Sequence, residues 1–235
     1  MNAPIRHRAE WHEFGSADEL AETLATRIAG ALTQAIAESG QASLAVSGGR
    51  TPKLLFEVLS RTPIDWEKVT IVLVDERFVP PDDERSNERL VRTHLLRNRA
   101  AEATFLPLYR PNMTLEKAAS AAEAEISALH FPLDAVVLGM GPDGHTASFF
   151  PDAADLQSLY ANHDSLAVLP IHSESAGEPR LTLSLQLLTS APLLVLHIES
   201  DERRTILTQA LAEGALPIAR FFAEATSAPQ IYWAG

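Results

Sequence analysis

Between residues 17 and 38, Leu20, Leu24, Ile28, Leu32 and Ile36 recur four apart among alanines and charged positions. That spacing puts them on one face and predicts a long amphipathic helix. The period then changes: SLAVS (43–47) is a short apolar run, read as a strand, that ends in Gly48-Gly49. Thr51 as N-cap and Pro52 as first helical residue predict that the next helix starts there. The same order returns further on. VTIVLVDE (69–76) predicts a strand, FVPPDDERSN a loop and ERLVRTHLL (88–96) a helix. A second Ala-rich helix is expected over 114–129, followed by the strand DAVVLGM (134–140) and a glycine-rich loop. SLAVLP (165–170), RLTLSL (180–185) and PLLVLHI (192–198) predict three further strands, and DERRTILTQAL (201–211) a helix.

Short apolar strands alternating with helices indicate an α/β fold with a mostly parallel sheet and helices on both faces. No Gly/Ser or Pro-rich linker and no repeat divides the 235 residues, so 1–235 is expected to form a single domain. In such sheets ligands sit beyond the carboxyl ends of the strands, which selects the loops after residues 47, 75 and 140. Composition changes this picture little, with 46% hydrophobic and 21% charged residues, as in an ordinary folded chain.

Charge and cysteine content narrow the functions. A net charge of −12 opposes nucleic-acid binding, which needs a positive surface, so a small anionic substrate would have to be held by local cations. The chain has no cysteine, which excludes disulfides, thiolate nucleophiles and cysteine-held metals. Neither an apolar leader core in MNAPIRHRAEWHEF nor a run of ~20 apolar residues is present, so a cytoplasmic protein with no membrane partner is expected.

Three constellations carry candidate chemistry. The first is DAVVLGMGPDGHTASFFPD (134–152), where Gly139, Gly141 and Gly144 match the pattern of a dinucleotide cradle. The context disagrees: the acid at the required distance, Asp164, precedes a strand instead of ending one, and Pro142 and Pro151 interrupt any helix. The loop instead delivers His145, with Asp143 two residues before it. Most of the eight histidines need have no catalytic task, but an imidazole suits proton transfer near neutral pH and a neighbouring carboxylate can fix its tautomer. The second is Ser47-Gly48-Gly49-Arg50-Thr51, either a plain strand-to-helix turn or an anion cradle of backbone N–H groups at a helix start; the spacing is not that of a Walker loop. The third is Asp75-Glu76-Arg77 at a buried strand end, whose charges either pair internally or face a cleft, where Arg77 could grip a phosphate or carboxylate; Arg180 offers a guanidinium in the same way.

Together, LAVSGGRTP (44–52), VTIVLVDERFVPPDDERSN (69–87), LVRTHLL (90–96), LGMGPDGHTASFFP (138–151), RLTLSLQLL (180–188) and the closing IYWAG resemble the 6-phosphogluconolactonase family, in that family's order and over nearly the whole chain. The resemblance implies the fold shared with sugar-phosphate isomerases and amino-sugar phosphate deaminases, a modified doubly wound sheet, with no metal or organic cofactor. It implies hydrolysis of 6-phospho-D-glucono-1,5-lactone, with His145 as general base toward water and Asp143 orienting it. Ser47, Gly48, Gly49, Arg50 and Thr51 would cradle the phosphate or the sugar hydroxyls, with Arg77 as phosphate clamp, Asp75 as hydroxyl acceptor and Arg180 completing the pocket. Donors for the oxyanion would come from the Gly139–Gly144 loop, Gly141 included, or from Gly48 and Gly49. The chain departs from the family at Ser200-Asp201-Glu202-Arg203, where relatives carry Gly-x-x-Lys: Arg203 keeps the charge but changes its shape. The partner implied is a small phosphorylated sugar lactone acted on by a monomer or weak homo-oligomer. An amino-sugar phosphate deaminase shares the Gly-His loop but reads G-H-I-A-F-N-E-P after it, where this chain reads Gly144-His145-Thr146-Ala147-Ser148-Phe149-Phe150-Pro151. A sugar-phosphate-binding regulator would need a DNA-binding segment for which the chain has no basic stretch.

Overall fold

In the computed structural model, which describes residues 9–161 and 168–235, the helix expected over 17–38 spans Ala17–Ser39 (α1). Ser16 caps it by accepting the N–H of Glu19, and Gly40 ends it in the left-handed region at φ 83, where a side chain would be strained. Its apolar stripe, Leu20, Leu24, Ile28 and Leu32, is fully buried against the sheet. Ahead of it lies β1 (Glu10–Phe14); after it come β2 (Ala42–Val46), α2 (Lys53–Leu59), β3 (Val69–Leu73), β4 (Asp75–Arg77), α3 (Asn87–His94), β5 (Thr104–Leu106) and α4 (Leu115–Ile126). The second half adds β6 (Ala135–Leu138), α5 (Leu156–Ala161), β7 (Val168–Ile171), β8 (Arg180–Leu183), α6 (Leu185–Thr189), β9 (Leu193–Glu199), α7 (Asp201–Glu213), α8 (Pro217–Glu224) and β10 (Gln230–Ala234).

Seven of these strands form one sheet in the order β1-β10-β9-β6-β2-β3-β5, and every pair in it is parallel. From β2 the chain winds outward through β3 to β5; β6 then lies on the other side of β2, and the chain winds the opposite way through β9 to β10. With right-handed crossovers the two windings put their helices on opposite faces. The loops after β2 and β6 leave the sheet in opposite directions, so a crevice opens between them at their carboxyl ends.

Three expectations are corrected. The single strand over 69–76 is two: Val74 leaves the large sheet, its N–H still donating to Val46 O (3.0 Å) while its carbonyl accepts from Leu183 N (2.9 Å). Beyond it β4 joins a three-stranded antiparallel sheet, β4-β8-β7. The apolar run passes through Val74 without a break, so the pattern hides the pivot; the acids that follow find their donors only on the far side of it. Thr51 does not cap α2, which starts at Lys53 with no side-chain cap, because Pro52 is already in a helical turn at φ −77. RLTLSL stops as a strand at Leu183, since Ser184 turns its hydroxyl to accept from Leu187 N and caps α6. The strand expected over 165–170 is present from Val168, while 165–167, like Asp164 and the first eight residues, lie outside the described residues.

Candidate active site

The loop after β6 is closed by its own main chain. Gly141 N–H donates to His145 O (2.9 Å), Gly144 N–H to Gly141 O (3.1 Å) and Thr146 Oγ1 to Gly139 O (2.8 Å). Gly139 N–H donates to Ser47 Oγ (3.0 Å), which ties this loop to the one after β2. Gly144 is in the left-handed region at φ 78, a side chain there would run into Leu216, and its carbonyl accepts from Ile218 N (3.2 Å). The start of α8 thus seats the loop from outside. The next helix in the chain, α5, begins only at Leu156, so the loop does not open directly into a helix as a dinucleotide cradle would.

His145 stands on this closed loop with its Nδ1 2.6 Å from Asp143 Oδ1, and its ring lies against Phe150 at 4.5 Å. Burial works to raise the Asp143 carboxyl, but hydrogen bonds from the His145 ring and main chain outweigh it and hold it below the usual range. An ionised carboxylate only accepts, so Nδ1 carries the proton of the neutral imidazole and Nε2 keeps its lone pair. About three tenths of the His145 side chain is exposed, enough for water to reach it.

In the turn after β2, the N–H groups of Gly48, Gly49 and Arg50 have no acceptor among the described residues, whereas those of Gly139, Gly141 and Gly144 are all engaged. Among the glycine amides of the two loops, the unengaged ones are therefore in the Ser47–Thr51 turn. Gly48 is required by contact, since a Cβ there would land on the Asn87 amide; Gly49 is required by conformation, at φ 95.

The acids and the base at β4 do not pair internally. Asp75 accepts from Ser148 Oγ (2.6 Å). The buried Glu76 carboxylate accepts from the N–H groups of Arg77 (2.7 Å), Asn87 (2.8 Å) and Glu88 (2.7 Å) and from Ser86 Oγ (3.1 Å), which fixes the start of α3 to the small sheet. Arg77 pairs with Glu178 (Nε to Oε1, 3.2 Å) and donates from Nη1 to Arg85 O (2.6 Å) and Asn87 Oδ1 (3.2 Å). Nε and Nη1 are thus engaged, while Nη2 has no hydrogen-bond partner among the described residues. Arg180, its register partner on β8, uses Nη2 on Ala176 O (2.9 Å) but has no partner for Nε among the described residues; Nη1 of Arg203 has no hydrogen-bond partner either, with Glu202 at 3.8 Å.

Glu76 gives a stability prediction. Burial pushes its carboxyl from 4.5 up to about 7 against the pull of its donors. Across the window between those values the folded state binds a proton that the unfolded chain does not, so Glu76 makes stability fall as pH rises through it, by about 3 kcal/mol in full. Urea unfolding of Glu76→Gln from about pH 5 to 7 is expected to show a flatter pH dependence. The Gln variant should itself hold nearly constant stability across that range, since an amide does not titrate there. An unchanged slope would rule this out.

These loops enclose a cleft of about 370 Å³ at the carboxyl ends of β9, β6, β2 and β3, within the range of small-molecule sites. Of the residues singled out in the sequence, Ser47, Gly48, Gly49, Arg50, Thr51, Asp75, Arg77, Gly141, His145, Arg180 and Arg203 all line it. Asp143 does not line it and is joined to it through its contact with His145. Asn87, Met140, Ala147, His197 and Glu199 also line the cleft. Asn87 lay at the end of a quoted motif; His197 sat inside an apolar strand pattern, where one polar residue in PLLVLHI was the available signal.

The family model described as glucosamine-6-phosphate isomerases/6-phosphogluconolactonase matches residues 15–233. A protein of Rhizobium meliloti named 6-phosphogluconolactonase is 50% identical over 229 residues, covering 96% of this chain and 99% of its own. One of Mesorhizobium japonicum with the same name is 49% identical over 225 residues, covering 95% and 94%. The crystal structure of a 6-phosphogluconolactonase from Shewanella baltica superposes with a TM-score of 0.92 at 37% identity, over 98% of this chain and 99% of that one.

Proposed function

The chain belongs to the glucosamine-6-phosphate isomerase/6-phosphogluconolactonase family, and from that premise we propose that it hydrolyses 6-phospho-D-glucono-1,5-lactone to 6-phospho-D-gluconate in the oxidative pentose phosphate pathway. The observation that carries the mechanism is the His145–Asp143 pair at 2.6 Å in a cleft that also holds unengaged amides and guanidinium groups. Nε2 of His145 takes a proton from water as the water oxygen bonds to the lactone carbonyl carbon. Negative charge passes to the carbonyl oxygen, which the N–H groups of Gly48 and Gly49 are suited to receive. The tetrahedral intermediate then expels the ring oxygen, and the imidazolium returns its proton to that alkoxide. Asp143 holds the tautomer and steadies the imidazolium between the two transfers. No residue forms a covalent intermediate.

The phosphate is best served by the donors not already used. Arg77 is tied through Nε and Nη1 to Glu178, Arg85 and Asn87, which leaves Nη2 for the phosphate, and Arg203 and Arg180 share the clamp with Arg50 at the rim. Arg203→Ala is expected to raise KM about tenfold on the phosphorylated lactone and to leave the unphosphorylated one unaffected. Equal losses on both would move the phosphate elsewhere.

A coupled assay that generates the phosphorylated lactone in situ tests the activity: 6-phosphogluconate must form faster with the protein than by spontaneous opening. The same protein given glucosamine 6-phosphate should release no ammonia. The reverse pair of results would replace lactone hydrolysis with deamination.

A further inference from the structure

The sheet carries a buried polar side chain at the floor of the cleft that the lactonase mechanism above does not use. His197 is on β9, is 4% exposed and lines the cleft, yet neither of its ring nitrogens has a hydrogen-bond partner among the described residues. Its register neighbour on β10, Tyr232, stacks on His12 and gives it no hydrogen bond. The nearest carboxylate oxygen, Glu199 Oε1, is 3.6 Å from Nε2, beyond hydrogen-bond reach, and Glu199 lines the same cleft. A buried imidazole left without partners carries an unrepaid desolvation cost, and an apolar residue would fill this place in PLLVLHI without it. A polar group kept under those conditions and open to a cleft is one whose partner arrives with the ligand.

We propose that His197, backed by Glu199, reads a ring hydroxyl of the sugar lactone, and so makes the site selective for which hydroxyls the ring carries and how they are disposed. The proposal rests on the lactonase reading and deepens it. A neutral imidazole donates from one nitrogen and accepts at the other, and a carboxylate accepts, which together match a hydroxyl that both donates and accepts. The same carboxylate argues against the phosphate as the group bound here, since a dianion would approach it against repulsion while Arg203, in the first turn of α7, offers it a cation. Sites built to hydrogen-bond a hydroxyl reject analogues without it, because the buried polar group is then left bare.

The test is a substrate panel: the parent phosphorylated lactone, its 2-deoxy analogue, the lactones formed from mannose 6-phosphate and galactose 6-phosphate, and unphosphorylated gluconolactone. His197→Leu and His197→Phe, two apolar replacements checked for cooperative unfolding, should lower kcat/KM on the parent about tenfold, mainly through KM. On the one hydroxyl-altered lactone whose missing or inverted group is the one read, wild type and variants should differ little, and His197→Gln should recover most of the loss on the parent. Equal losses on every lactone would mean that His197 only packs; no loss on the parent, or a loss that disappears only without the phosphate, would also overturn the proposal. Failure of the wild type to turn over the parent would overturn the lactonase reading and this one with it, whereas each of the other outcomes removes only the role of His197.

Discussion

His145→Ala is expected to lower enzyme-dependent hydrolysis of 6-phospho-D-glucono-1,5-lactone by roughly 10²–10⁴, the range for one positioned acid–base group. The loss should fall on kcat and kcat/KM together, because the proton transfers occur only on the way to and from the tetrahedral intermediate. Binding of the product 6-phosphogluconate, measured by calorimetry, should be nearly unchanged, since the phosphate and hydroxyl contacts proposed above come from other loops. Stability should change little, as the lost interactions are a partly exposed ring against Phe150 and a hydrogen bond to Asp143. Asp143→Asn should cost less than His145→Ala but act in the same direction: the amide can still hold the ring yet no longer steadies its charged form. Wild-type turnover in His145→Ala, measured against the spontaneous rate, would remove the mechanism.

Much of this arrangement was legible in the chain because short motifs sit where strands end. The Leu20–Leu32 spacing gave α1, and the glycines after residues 47 and 138 marked two loops that the sheet order brings together at its switch point. What stayed hidden has physical reasons. The pivot at Val74 lies inside an unbroken apolar run, so periodicity could not place the change of sheet. The pairing of Arg77 was not visible because its partners, Glu178 and the Arg85 carbonyl, are distant in sequence or belong to the main chain. The Gly139–Gly144 amides looked available for an oxyanion because their use depends on how the loop closes, which no residue type announces. His197 was masked by the strand pattern around it, since a lone polar residue at a strand's carboxyl end is informative only once its missing partners can be counted. β1, β5 and β10, short strands at or near the sheet edges, gave too little alternation to stand out.

Gly141→Ala is expected to be nearly as damaging to catalysis as losing the imidazole, although it adds a single methyl group. Gly141 does not need its glycine for a left-handed backbone, because its φ is not positive; it needs it for space. A Cβ at this position would land on Cε1 and Nδ1 of His145 and come 2.6 Å from Asp143 Oδ1, so the methyl and the dyad cannot occupy the loop as it stands. The loop cannot yield easily, because Gly141 N–H is bonded to His145 O and Gly144 N–H to Gly141 O. The ring must rotate away, which breaks the 2.6 Å hydrogen bond that sets its tautomer and moves Nε2 relative to the lactone carbonyl. A displacement of about 1 Å in a reacting group is enough for a loss near 10²-fold, and that is the size expected in kcat, with the unfolding midpoint close to wild type. Because both substitutions disable one unit, the double variant Gly141→Ala, His145→Ala should be no slower than His145→Ala alone. Independent, multiplying losses in that cycle would mean that Gly141 serves the reaction in some way other than making room for the imidazole.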